Sequence, residues 1–168
     1  MTQPHHDALL LRGRRRESLE SLVRDNRGIY QMRIDQLIYT SRVSSKFNYA
    51  DIANILMVAR KNNKALGVTG ALCFEDDMFI QYLEGPTKEL NQLSFKILRD
   101  PRHQDIQIRY YGESEKNLFG RWSMCEIEGE SIASTELEED DDVLFSSLSS
   151  SDALKMFERL SETMKSYS

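Results

Sequence analysis

Phe79-Ile80-Gln81-Tyr82-Leu83-Glu84-Gly85, followed at once by Pro86, is the stretch whose reading decides the fold. Its apolar and aromatic run predicts a strand from Met78 to Leu83, and Gly85-Pro86 opens a helix, because proline is accepted in a first helical turn. Upstream, Val68 to Phe74 predicts a second strand, joined to the first by Glu75-Asp76-Asp77, a short acidic connection that suits a hairpin. Further upstream, Ile52, Ile55, Leu56 and Ala59 recur at i, i+3, i+4 and i+7. That spacing predicts an amphipathic helix over 50–62, with Asn62-Asn63 at its end and Gly67 stopping it. Before the helix, Ile34, Gln36, Leu37, Ile38 and Tyr39 read as a strand running into Thr40-Ser41. Downstream of Pro86, Leu90, Leu93, Ile97 and Leu98 form a buried stripe. It ends at Asp100-Pro101, since the residue before proline disfavours helix. Ile106, Ile108 and Tyr110 predict another strand, and Trp122 to Ile127 a last one.

The resulting order, β-α-β-β-α-β-β, predicts an α+β fold. It is a ferredoxin-like mixed sheet with two helices on one face, followed by a C-terminal helical extension. The cleft between the two helices is a natural place for a flat ligand. The chain divides into a basic extension over 1–30, the domain over 31–128, an acidic and serine-rich linker over 129–150 and an amphipathic helix over 151–168. Within the extension, Leu19, Leu22 and Val23 suggest a short helix ending near Gly28. In the last segment Leu154, Phe157, Leu160 and Met164 recur at helical spacing behind Ser151 or Asp152 as N-cap. That stripe is expected to pack on the sheet face the other helices leave bare.

Charge is unevenly spread. Residues 1–33 carry seven Lys/Arg against four Asp/Glu, residues 34–125 twelve against eleven, and residues 126–168 three against twelve. The middle is therefore a near-neutral domain between a basic head (Arg12, Arg14, Arg15, Arg16) and an acidic tail (Glu136 to Asp142). The net charge of −5 argues against nucleic acid as the main partner, because phosphate binding needs a basic face. The two cysteines, Cys73 and Cys125, form neither a disulfide framework nor a metal-binding pattern, which fits a reducing, cytoplasmic compartment. No apolar run reaches the roughly 18 residues of a spanning helix, so no membrane partner is expected.

The motifs of common catalysis are missing. There is no GxGxxG and no Walker A loop, and His5, His6 and His103 lack metal-ligand spacing. What stands out instead is a glutamine, Gln81, at the centre of an apolar strand. Burying its amide unpaired would cost roughly 1–3 kcal/mol, so it needs partners. A carboxamide offers both an acceptor and donors and can switch between them by rotating. The strands of Tyr39 and Gln81 can be neighbours in this topology, and the helix of Asn62-Asn63 can approach the same end. A phenol and carboxamides suit a ligand rich in carbonyl and ring-nitrogen edges. They are poor tools for general acid–base hydrolysis.

Taken in order, five segments resemble the BLUF domain (blue light sensing using flavin). They are Leu37-Ile38-Tyr39-Thr40-Ser41, Asn62-Asn63 with Gly67-Val68-Thr69-Gly70, Phe79 to Gly85, Asp100-Pro101-Arg102-His103, and Arg121-Trp122-Ser123-Met124. The resemblance covers about residues 34–127. It implies a flavin held noncovalently between the two helices, usually FAD, with FMN or riboflavin as other forms. It implies further that Tyr39 gives an electron and a proton to the photoexcited flavin. Gln81 would bridge the tyrosine and the flavin and rearrange after light. Asn63 would bond the flavin carbonyl edge with Asn62 beside the ring, and Asp100, Arg102 and His103 would line the ribityl and phosphate side, with Lys96 near them. Trp122 and Met124 would carry the signal outward on the fifth strand.

The expectation is therefore a short stand-alone blue-light photoreceptor, not an enzyme, since the residues after the domain are too few for a catalytic unit. Output would pass to a partner protein or to self-association through the acidic tail and terminal helix. Two other readings stay open at this stage. One is a flavin-binding redox enzyme using the same cleft; the other is a ferredoxin-like interaction module without ligand.

Overall fold

The computed structural model describes residues 22–24, 30–32, 34–128, 145 and 147–166. Its elements in chain order are β1 (Leu22–Arg24), β2 (Tyr30–Met32), β3 (Ile34–Val43), α1 (Asp51–Leu66), β4 (Thr69–Glu75), β5 (Met78–Gly85), α2 (Thr87–Leu98), β6 (His103–Ser114), β7 (Cys125–Ile127) and α3 (Ser150–Ser166). Strands β3 to β7 build one five-stranded sheet in the order β6-β3-β5-β4-β7. Its first four positions are the ferredoxin-like arrangement, with every neighbour antiparallel. β7 adds at the β4 edge in parallel, which makes the sheet mixed.

Local chemistry explains most of these boundaries. The β4–β5 hairpin turns on Asp76 and Asp77, both at positive φ (49° and 59°), the conformation a two-residue primed turn requires. α1 runs one turn beyond the sequence expectation and stops at Gly67, which takes the left-handed φ of 66° that ends a helix without Cβ strain. Asn62 and Asn63 therefore lie inside its last turns and not at its end. Gly70 is required for a different reason: a Cβ there would stand 2.2 Å from the Tyr82 carbonyl oxygen on β5.

Three expectations are corrected. Residues 22–24 are a strand, not part of a helix. They pair with β2 in the register Leu22↔Met32 and Arg24↔Tyr30. The remainder of the expected helix lies outside the described residues. The last strand begins only at Cys125, because Trp122 N–H turns back to Phe119 O at 2.8 Å and so leaves the ladder. Finally, the cap of α3 is Ser149, whose Oγ accepts the Asp152 N–H at 3.2 Å, while the Asp152 carboxylate accepts the Ser149 hydroxyl in return.

Both faces of the sheet are covered. On one, Leu37, Tyr39, Leu72, Phe79 and Leu83 pack with Leu56 of α1 and Leu90 and Leu93 of α2. On the other, Ile38, Ala71, Cys73, Ile80 and Tyr82 pack with Ala153, Met156, Phe157 and Leu160 of α3. The terminal stripe thus covers the face the other helices leave bare. Strand alternation sorts the residues of β5 between the two layers.

Glu84 is the polar anchor of the second layer and is fully buried. Its Oε1 accepts the Thr69 hydroxyl at 3.0 Å and the Phe119 N–H at 2.6 Å. Its Oε2 accepts the Tyr82 hydroxyl at 2.9 Å and the Leu118 N–H at 2.8 Å. A buried carboxylate is tolerable only with such a set of donors. Burial, and then the Glu84 carboxylate, push the Tyr82 phenol well above its ordinary range, so it keeps its proton and donates. Glu84→Leu strands two main-chain N–H groups and is expected to cost at least about 2 kcal/mol, at about 1–3 kcal/mol per orphaned donor. Phe157→Ala is expected to cost about 3–5 kcal/mol through lost packing. Urea denaturation midpoints measure both, and an unchanged midpoint for Glu84→Leu would show that the anchor is dispensable.

Candidate functional site

A cleft opens between α1 and α2 above the sheet, with about 690 Å³ of empty space when the open solvent at its mouth is included. Its floor is Tyr39, Leu72, Phe79 and Gln81. Its walls are Ile55, Val58, Ala59, Asn62 and Asn63 from α1 and Leu93, Lys96 and Ile97 from α2, with Asp100, Arg102 and His103 at the end of α2 and the start of β6. Eight residues singled out in the sequence, Tyr39, Asn62, Asn63, Gln81, Lys96, Asp100, Arg102 and His103, line this one cleft. Trp122 and Met124 are absent from its lining.

Tyr39 and Gln81 meet because β3 and β5 pair in a register that sets them directly opposite each other. Both are buried, and the Tyr39 hydroxyl donates to Gln81 Oε1. Burial, and then the Asp100 carboxylate, hold the Tyr39 phenol above its ordinary pKa, so it is a neutral donor. The Gln81 amide nitrogen points the other way, to Met124 Sδ at 3.5 Å. Trp122 instead packs against the α3 layer, with its ring 6.3 Å from that of Phe119. Of the two, Met124 is the one beside Gln81.

Asn63 is 1% exposed, and its two amide ends have different fates. Nδ2 donates to Ser123 O at 2.8 Å, whereas Oδ1 has no protein partner. A buried orphan acceptor on the wall of a cleft is a vacancy for a ring N–H donor. At the far end, Arg102 donates to the Asp100 carboxylate through three side-chain bonds of 2.9, 3.2 and 2.5 Å, and the guanidinium keeps that carboxyl below its ordinary range. His103 Nδ1 lies 2.8 Å from Ser41 Oγ, and its ring stands edge-on to Tyr39, with centroids 6.1 Å apart. Burial, and then Arg102, lower the His103 pKa against the opposing pull of Asp100.

The arrangement suits a flat aromatic heterocycle. The apolar walls take a ring system, the orphaned Asn63 oxygen takes a ring N–H, and the cations Lys96 and Arg102 stand near one end for an anionic extension. A flavin meets each of these requirements. Sequence reading missed two residues that flank the site without lining it. Ser41 sits two positions after Tyr39 on the same strand face, and Arg60 sits three before Asn63 on the same helix face. Strand and helix periodicity were the signals that could have found them.

Comparison with known proteins places these features in context. Residues 34–125 match the family model described as "Sensors of blue-light using FAD". The photoactivated adenylate cyclase subunit beta of Euglena longa is 29% identical over 98 residues, which are 58% of this chain and 11% of that protein. The blue light- and temperature-regulated antirepressor BluF of Escherichia coli (strain K12) is 31% identical over 108 residues, 64% of this chain and 25% of that protein. The chain thus spans a quarter or less of the length of these curated relatives. Among solved structures, the dark state of BlrB, a BLUF protein, superposes with a TM-score of 0.67 at 28% identity, covering 77% of this chain and 96% of that one.

The geometry around His103 generates a pH expectation. Its folded pKa lies below the ordinary value of about 6.5, so protonation is disfavoured in the folded state. Its contribution to stability is complete above that value and is lost as pH falls from there toward the folded value. Wild type is expected to lose stability as pH falls below about 6.5, and His103→Gln to lose less over the same interval. Equal losses in urea titrations would show that His103 does not carry the effect.

Proposed function

The chain belongs to the family of sensors of blue light using FAD, and from that premise we propose that it is a photoreceptor in which Tyr39 and Gln81 form the photoactive pair. The observation that carries this reading is the buried bond from the Tyr39 hydroxyl to Gln81 Oε1 on the floor of the cleft, beside the unpaired Asn63 oxygen.

In this reading Asn63 holds the ring's carbonyl and N–H edge, with Asn62 at the mouth. Asp100, Arg102, His103 and Lys96 hold the ribityl and phosphate side. When bound, a flavin supplies blue-light absorption and an excited state that accepts an electron from a neighbouring donor. Tyr39 is that donor: it is neutral, buried and already aimed at an acceptor. With a flavin bound, Tyr39 would give up one electron and its phenolic proton, the proton passing by way of the Gln81 amide to the same acceptor as the electron. Gln81 would rotate and change which of its ends faces the ring and which faces Tyr39. Return of the electron and proton to Tyr39 would leave Gln81 in its new orientation until the amide turns back in the dark. Met124, in contact with the Gln81 amide, passes the change to β7 and from there to α3.

FAD is the proposed form, because cations stand at the outer end of the cleft. The proposed setting is a reducing cytoplasm, supported by two free buried cysteines, of which the Cys73 thiol is pushed up to about 12 by burial. Among the described residues no helix is long and apolar enough to cross a membrane. Residues 31–128 would be the sensor, and 129–168 the route to a partner protein or a second copy. No reaction of its own is assigned to the chain; the cyclases it resembles share about a tenth of their length with it.

An absorbance spectrum in the dark and after blue light tests the reading. A flavin spectrum that moves slightly to the red and recovers in darkness is expected. Tyr39→Phe and Gln81→Leu are each expected to abolish that shift while flavin remains bound, and a normal photocycle in either variant would overturn the assignment.

A further inference from the structure

Three consecutive carbonyls in the segment before β7 are each held by a donor. Gly70 N–H donates to Trp122 O at 3.2 Å, Asn63 Nδ2 to Ser123 O at 2.8 Å, and Arg60 Nε to Met124 O at 3.1 Å. Arg60 and Asn63 are three residues apart on α1, so their side chains leave the same helix face. That spacing lets one helix grip two successive carbonyls.

The contact with Gln81 is of another kind. It reaches Met124 only through the thioether sulfur, a weak acceptor, at 3.5 Å. The Arg60 bond comes from a cation and is the stronger of the two. When the Gln81 amide turns, the Met124 side chain loses or changes its partner, but its carbonyl stays attached to α1. A displacement of a side chain on a fixed main-chain point must appear further along the chain. The next residue, Cys125, opens β7 opposite Ala71, and its Sγ lies 3.7 Å from Met164 Sδ on α3. Without the Arg60 bond, the segment could yield locally and the change would end there.

We propose that Arg60 is a positioning residue of this sensor: it fixes the Met124 carbonyl to α1, so that a change at Gln81 is passed to β7 and α3 instead of being absorbed in the loop. The proposal rests on the reading of the cleft as a photoactive flavin site. Arg60 is an exposed residue whose bond to Met124 O is partly covered, and it is not part of the cleft lining, so replacing it should leave both folding and cofactor uptake intact.

The test uses the full chain loaded with FAD, as wild type, Arg60→Met and Arg60→Lys. Each is followed by its dark and lit absorbance, by hydrogen–deuterium exchange over residues 121–128, and by emission from Trp122, the chain's single tryptophan. Arg60→Met is expected to take up FAD and to show the wild-type spectral shift. Its dark exchange at residues 123–127 should rise by about three- to tenfold. Its light-minus-dark differences in exchange at β7 and in Trp122 emission should vanish. Arg60→Lys keeps a cationic donor and should retain part of both differences. A wild-type light-minus-dark difference at β7 in Arg60→Met, with the spectral shift intact, overturns the proposal. A wild type that binds FAD but shows no spectral shift overturns the underlying reading instead, and is recognised before any variant is compared.

Discussion

The register between β3 and β5 is the constraint on which both layers depend. It sets Tyr39 against Gln81 and Ile38 against Tyr82. Because side chains alternate along a strand, a slip of one residue would carry Gln81 into the α3 layer and Glu84 toward the cleft. Each of those residues needs partners found only on its own side. Gln81 needs the Tyr39 hydroxyl, and Glu84 needs the hydroxyls of Thr69 and Tyr82 and the N–H groups of Leu118 and Phe119. Polar satisfaction and hydrophobic alternation therefore select the same pairing.

The two layers are built to different ends. The α3 layer is closed: Tyr82, Phe119 and Phe157 meet in tilted and edge-on contacts with ring centroids 5.2–6.2 Å apart, and Glu84 is saturated with donors. The α1–α2 layer keeps an open cleft and an orphaned acceptor, features that would be defects in a domain whose only task was to fold. A well-packed layer on one side of a sheet can support an underpacked one on the other, and this is where the stability of a binding domain is expected to reside.

Much of this was legible in the sequence, and the reasons are physical. Strands, the hairpin and the first two helices announce themselves through periodicity and through Gly, Pro and Asp at turns. Asn62 and Asn63 could be placed on a helix near a strand carrying Gln81 because the topology follows from element order. The failures came where periodicity misleads or is silent. Leu22 and Val23 fit a helical stripe as well as a strand, and the pairing with Tyr30–Met32 decided between them. Trp122 to Ile127 reads as one mostly apolar strand, but the capture of its first carbonyls by α1 and β4 takes them out of the ladder. Glu84 lies one residue past the expected strand end at Leu83; its place on the same face as Ile80 and Tyr82 was the signal that it is buried. Which of Trp122 and Met124 stands beside Gln81 depends on a turn of the main chain at Phe119 that no local pattern encodes.

The segment between β6 and β7 is held at Leu118, Phe119, Trp122, Ser123 and Met124 through peptide N–H and C=O groups. Every residue type except proline supplies both groups. These bonds themselves do not depend on the side chains at 118, 119, 122 and 123, but Leu118, Phe119 and Trp122 are held a second time by packing in the α3 layer, so only Ser123 is left open to exchange over generations or by a protein engineer. The donors Arg60 and Asn63 and the acceptor Glu84 have no such latitude. A comparison of related chains that ranks positions by side-chain identity alone would register the packing of the stretch and overlook its fastening through the main chain.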